Sequence, residues 1–171
     1  MKKIICVALL GFFALKSFAQ AGDLTVGAQG GYITYYKNFL YGLNLSYAPS
    51  GPLQLTLSGV MNPNITRPDK WDPNRQIKNA LYSLNLDARF LLLDFGTFAT
   101  GPSVGVQYMH NIQEISFPVT YNAYGANLGW HVKFNLTDYL RFGGGWQYST
   151  MKNSSSYNMF YASLGWAFNV R

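Results

Sequence analysis

The chain has 171 residues, a formal charge of +6, and a composition that is 12% charged and 17% aromatic. That length points to one domain, and a charged share about half the usual leaves no basic stripe of the kind nucleic-acid binding needs. The only cysteine, Cys6, lies within the first nineteen residues, so the rest of the chain can form neither disulfides nor thiolate metal sites.

Lys2 and Lys3, the apolar run from Ile4 to Leu15 and the small-x-small triplet Ser17-Phe18-Ala19 read as a secretory signal peptide over residues 1–19. The mature domain is then 20–171. The apolar run is too short to cross a bilayer as a helix, and Cys6 lacks a lipobox. Without Lys2, Lys3 and Lys16, ten basic residues face seven acidic ones and the formal charge falls to +3. No later apolar run exceeds a few residues.

From there the chain alternates. A period of two puts one set of side chains on each face of a strand. The first strand, from about Asp23 to Tyr35, sets Leu24, Val26, Ala28 and Tyr32 against Thr25, Gly27, Gln29 and Gly31. After a short connection at Tyr36 to Asn38, the second sets Tyr41, Leu43, Leu45 and Tyr47 against Gly42, Asn44 and Ser46. A turn of Ala48-Pro49-Ser50-Gly51-Pro52 leads to the third, with Leu53, Leu55 and Leu57 against Gln54, Thr56 and Ser58. The polar segment from Asn62 to Asn79, with three prolines, is expected to be a long loop.

The fourth strand sets Ala80, Tyr82, Leu84, Leu86 and Phe90 against Ser83, Asn85, Asp87 and Arg89, and Leu91 to Phe95 is expected to turn. The fifth sets Val104, Val106 and Tyr108 against Gly101, Ser103, Gly105 and Gln107, and a loop is expected from His110 to Pro118. The sixth sets Tyr124, Ala126, Leu128, Trp130, Val132 and Phe134 against Gly125, Asn127, Gly129, His131 and Lys133. Asn135 to Asp138 turns the chain into the seventh, where Leu140, Phe142, Trp146 and Tyr148 oppose Arg141, Gly143, Gly145 and Gln147. A polar loop from Met151 to Ser156 precedes the last strand, Asn158 to Val170, whose alternate residues from Phe160 to Val170 are apolar.

Eight strands, three tight turns on one side and the longest loop on the other predict an all-β, eight-stranded antiparallel up-and-down transmembrane β-barrel, both termini periplasmic. Two aromatic rims support it, since rings with a polar handle favour the bilayer interface. Tyr35, Tyr36, Phe39, Tyr41, Tyr108, Tyr124, Tyr148 and Phe160 form the outer rim. Tyr47, Phe90, Phe95, Phe98, Phe134, Tyr139, Phe142 and Phe168 form the inner one. The competing arrangement is a soluble barrel or sandwich with its greasy side inward. It leaves those rims, and glycines concentrated on the polar face, without a reason. The Gly143-Gly144-Gly145 run has no following Lys-Ser/Thr and is not a phosphate loop.

The layout resembles the small outer-membrane barrels of the OmpA-like and opacity-protein-like superfamily. Its most specific match is the last strand, where Ser163, Gly165, Phe168 and Val170 resemble a C-terminal assembly signal, with Arg171 as an extra final residue. The resemblance implies a Gram-negative outer membrane, contact with its lipid including lipopolysaccharide, and insertion by the barrel-assembly machinery. A monomer is expected, with no cofactor and no nucleic-acid partner.

By parity Asp87, Arg89, His131, Lys133 and Arg141 point into the lumen, with Lys133 placed roughly opposite Arg141 and with Asp87 or Asp23 as counter-charges. Buried charges must be paired, so a closed lumen held by an ion-pair network is the first expectation and a narrow anion-favouring channel the alternative. Barrels resembling lipid A deacylases use a His-x-Ser motif. Here Val132 and Lys133 follow His131, so a lipid-modifying enzyme ranks last and no catalytic residue is assigned. His110 and Glu114 lack a third metal ligand. The loop carrying Trp71 among Arg67, Lys70 and Arg75 is a candidate binding surface. Taken together, a non-catalytic protein of surface binding or membrane integrity is expected. The membrane fraction of expressing cells should then show a band that migrates differently boiled and unboiled on SDS gels. A soluble band with no such shift would instead make the greasy faces a core.

Overall fold

The computed structural model describes residues 22–49, 52–68, 72, 74, 76–114 and 118–170, so the expected leader and Arg171 lie outside it. A strand greasy on one side and polar on the other can satisfy both sides only in a sheet whose faces meet different surroundings. Among the described residues nine strands form: β1 (Gly22–Ile33), β2 (Asn38–Ala48), β3 (Leu53–Pro68), β4 (Gln76–Phe90), β5 (Leu93–Asp94), β6 (Phe98–Glu114), β7 (Pro118–Asn135), β8 (Leu140–Lys152) and β9 (Tyr157–Val170). The two-residue β5 is a short ladder inside the connection from β4 to β6. The other eight pair antiparallel in sequence order, β4 pairing directly with β6. β1 pairs with β9 over its whole length, Gly27 opposite Gly165, and the sheet closes into a barrel.

The barrel is inside out relative to a soluble protein. Leu43 is 68% exposed and Val106 59%, whereas Thr56, Asn85 and Ser149 are at most 1% exposed. Water would penalise such a wall at roughly 25 cal/mol per Å², and a bilayer would not. Even the indoles fit this surface. Trp130 and Trp146 pair across β7 and β8. Trp130 Nε1 donates to Thr100 Oγ1 at 2.7 Å and Trp146 Nε1 to Asn158 Oδ1 at 3.0 Å, so neither donor is left bare among apolar groups.

The two ends differ. One end, here the turn end, carries the start of β1 at Gly22, the end of β9 at Val170 and the connections 49–52, 91–97 and 136–139. The apolar stretch from Leu91 to Phe95 does turn, because Asp94 Oδ1 accepts the Gly96 N–H at 2.8 Å and Gly96 takes a φ of 79°. Phe95, Phe98, Phe134 and Phe142 run around this rim with successive ring centroids 6.1, 5.0 and 6.1 Å apart. At the opposite, hairpin end, Tyr32–Phe39 and Tyr108–Tyr124 pack at 5.1 and 5.2 Å. Two rim tyrosines depart from expectation. Tyr47 is buried, its ring lying over Gly22 on the neighbouring strand. Tyr36 leaves the rim and packs on apolar residues inside the barrel.

The expected loops at 62–79 and 110–118 are mostly strand. β3 continues to Pro68, β4 begins at Gln76 and β6 runs to Glu114. Two of the three prolines that suggested a loop sit where a missing N–H costs least, and Pro73 lies outside the described residues. Pro63 falls in a bulge between Asn62 and Ile65, and Pro68 is the last residue of β3. Strands β3, β4, β6 and β7 therefore have 15–18 residues, against 11–14 in β1, β2, β8 and β9. At about 3.3 Å per residue and a tilt of about 40°, one side of the hairpin end stands roughly 10 Å taller.

Closeness of the walls decides where glycine is required. A Cβ on Gly42, which faces inward on β2, would run into the Gly59 carbonyl oxygen, while one on the outward Gly30 would meet nothing nearer than 3.9 Å. Gly42→Ala should destabilise the barrel by about 1–3 kcal/mol and Gly30→Ala by no more than about 0.5 kcal/mol. The urea midpoint of the heat-shifted gel band measures both. Equal effects would show that the approach of β3 to β2 does not require glycine.

Candidate functional site

Eight strands enclose a space only as wide as the side chains that fill it, so the lumen and its mouths are where polar chemistry can gather. At the turn end, Arg141 Nη2 lies 3.6 Å from Asp23 Oδ2, and Arg141 Nη1 donates to the Thr137 carbonyl at 2.5 Å. Lys133 shares this level but is not opposite Arg141. Its partner is Gly143, and Arg141 faces Asn135, because the connection is 136–139 rather than 135–138 and the β7–β8 pairing is displaced by two residues from the counting. The offset separates two like charges that would otherwise repel across the ladder.

The middle of the lumen is polar. Asp87 and Arg89, successive inward residues of β4, are each only 4% exposed. The Arg89 guanidinium lies 5.5 Å from the centroid of the Tyr161 ring. Tyr161 stacks on His131 at 6.1 Å, and its hydroxyl is 3.1 Å from His131 Nδ1. Arg89, His131, Lys133 and Arg141 thus line one cavity of about 20 Å³, room for about one water. Glycines make space for these long groups. A Cβ on Gly105 would collide with Asp87 Oδ1, and one on Gly145 would sit 2.9 Å from the Tyr161 hydroxyl.

A ladder of neutral groups fills the remaining wall. Ser46 and Thr56 hydroxyls are 2.9 Å apart, Asn85 Nδ2 donates to Ser58 Oγ at 3.3 Å, and Gln107 Nε2 donates to Ser83 Oγ at 2.6 Å and to the Tyr157 hydroxyl. Gln29, Asn44, Gln54, Asn127 and Gln147 are likewise buried in the lumen.

Toward the hairpin end the lumen becomes apolar. Ile33, Leu40, Val60, Leu81, Met109 and Met159 are at most 3% exposed and form one cluster with Ile65, Ala123, Tyr157 and Tyr161. Sequence reasoning missed this layer. Its signal was the doubled apolar pairs Val60-Met61 and Leu81-Tyr82 and the triplet Met159-Phe160-Tyr161, where alternation lapses because both faces are apolar. Above the cluster the mouth holds a cavity of about 290 Å³.

The other candidate residues are scattered. Trp71, Lys70 and Arg75 lie outside the described residues, and Arg67 lies on β3 opposite Ile77. His110 belongs to β6 rather than a loop, and its Nδ1 is 2.7 Å from Asn122 Oδ1. Among the described residues no three candidate ligands come together to hold a metal. Ser163, Gly165, Phe168 and Val170 share β9, opposite Gln29, Gly27, Leu24 and Gly22 of β1, at the seam that closes the barrel. No serine lies two residues beyond His131, and its ring is buried in the lumen, away from the lipid-facing wall.

Side by side and buried, Asp87 and Arg89 give a test of the polar layer. Asp87→Ala removes a buried carboxylate that makes no direct ion pair with Arg89 and should cost about 1–3 kcal/mol, whereas Asp87→Leu together with Arg89→Met should restore most of that. Urea unfolding followed by the gel band measures both. A single-variant cost below about 0.5 kcal/mol would show that the polar layer does not depend on the Asp87 carboxylate.

No protein-family model and no curated protein matches the chain in sequence. Solved structures do match. The N-terminal β-barrel domain of Pseudomonas aeruginosa OprF aligns with a TM-score of 0.66 at 16% identity, over 87% of this chain and 100% of that one. A major outer membrane protein from Thermus thermophilus aligns with 0.66 at 15% identity over 87% and 100%. Ail, the attachment invasion locus protein of Yersinia pestis, aligns with 0.58 at 13% identity over 86% and 98%. At these identities the likeness is one of fold, and the fold is that of the small eight-stranded outer-membrane β-barrels.

Proposed function

We propose that the chain is an integral outer-membrane protein of a Gram-negative bacterium, non-catalytic and monomeric, that serves surface binding or membrane integrity rather than transport. Its termini and short turns then lie in the periplasm and its tall hairpins outside. The greasy wall contacts membrane lipid including lipopolysaccharide. The assembly machinery reads Ser163, Gly165, Phe168 and Val170 on β9.

The observation that carries this reading is the filled lumen. An apolar layer lies over a polar one, and beyond the open turn-end mouth of about 990 Å³ bordered by Asp23 and Arg141, the lumen beside Arg89, His131 and Lys133 leaves only about 20 Å³. An ion crossing it would shed its water against Ile33, Leu81 and Met109, and an unpaired charge in such surroundings is expensive. Lack of catalysis is supported by His131, whose lumenal place and Tyr161 contact suit a packing role.

Purified protein in planar bilayers should therefore give no steady single-channel current. Steady current that favours anions would replace this reading with a channel running past Arg89, Lys133 and Arg141. Turnover of a lipid substrate lost in His131→Ala would replace it with an enzyme.

A further inference from the structure

The cavity at the hairpin end is used by nothing above. Its floor is the apolar layer, through Met109 and Ala123. On one side the tall wall of β6 and β7 rises past it, presenting Asn111, Gln113 and Tyr121 from inward positions. On the other side is a low lip made by two turns, with Tyr35 and Tyr36 from the β1–β2 connection and Asn153 from the β8–β9 connection. Tyr35 and Tyr121 are about half exposed, at 50% and 48%. Tyr36 stands edge-on to Tyr35, ring centroids 5.0 Å apart. Its hydroxyl accepts a bond from Asn111 Nδ2 at 3.2 Å, which fixes the Asn111 amide, and Asn111 Oδ1 is buried without a protein partner.

The chemistry of the lining restricts what fits. Among the described residues it carries no charge, so an ion would find no counter-charge there. Its amides and hydroxyls both donate and accept, so a purely apolar ligand would strand them unpaired. A ligand with a flat face of C–H groups and a ring of hydroxyls meets both demands. The C–H face lies on tyrosine, and the hydroxyls pair with Asn111, Gln113 and Asn153. A volume of about 290 Å³ falls just under the range of drug-sized ligand pockets, about 300 to 1,000 Å³, which suits a small ligand.

We propose that this mouth is a binding site for a neutral saccharide unit of one or two rings. The proposal rests on the surface reading only for the source of the ligand, so pocket and exposure can fail separately.

The pocket is tested on purified, folded protein in a detergent with no sugar head, because an alkyl maltoside would itself compete. Titration with glucose and with N-acetylglucosamine should give saturable NMR shifts confined to the hairpin mouth and insensitive to salt. Tyr121→Ala and Asn111→Leu, each checked for the heat-shifted band, should weaken binding about tenfold or more, while Asp138→Asn at the turn end leaves it unchanged. The proposal is overturned by no saturable shift, by shifts only with glucose 6-sulfate that salt abolishes, or by shifts only with an alkyl chain. Exposure is read apart from this by labelling Lys152→Cys on intact cells with an impermeant maleimide. Labelling without sugar binding overturns the saccharide site alone. Sugar binding without labelling supports the site and overturns the surface orientation.

Discussion

Every backbone N–H and C=O that faces a bilayer must find its partner within the protein, because no water is there to supply one. A sheet meets that demand only by closing on itself. Here the closure lies at one seam, β1 with β9. Most of the molecule follows from it. Closure with eight strands leaves a lumen no wider than its side chains. Inward polar groups such as Asp87 and Tyr161 then need glycine beside them, and the wall turns its apolar residues outward. Pro63 survives in β3 only because a bulge removes it from the ladder.

The same narrowness explains why the interior is layered rather than mixed. Charge is confined to the turn end, where Asp23 pairs with Arg141, and to the middle, where Asp87 and Arg89 are buried at successive inward positions. An apolar layer needs neither, and it packs above them as the core of a soluble domain would. The barrel thus carries two apolar surfaces, a wall that meets lipid and an inner plug that meets itself.

Strand number, parity and the placement of inward charges were legible because alternation is a local pattern that one strand displays by itself. The places where reading failed are those where a second influence overrides it. Residues 62–68 look like loop by composition, yet they pair with β4 because a hairpin can rise beyond the membrane on polar side chains. Tyr47 and Tyr36 obey parity or rim position in sequence but are captured by Gly22 and by the inner cluster. The error at Lys133 came from the turn. Moving a turn of the same length by one residue displaces the pairing by two, and composition does not fix where the turn sits. The apolar plug was hidden because inward and outward residues are both apolar there, so no contrast remains. The hairpin mouth could not be found in the sequence at all. It is assembled from two separate connections and the strands β6 and β7, which meet only when the barrel closes.

The unequal strand lengths cut the hairpin end on a slant. The rim is low over β8, β9, β1 and β2 and high over β3, β4, β6 and β7, so the mouth opens sideways rather than upward. A molecule reaching it travels along the membrane surface and comes over the low lip, with the tall hairpins as a backstop. Such geometry favours groups tethered close to the bilayer over chains arriving end-on from solution, and it gives the barrel a front and a back. How the molecule is rotated in the membrane relative to its neighbours therefore decides what it can meet.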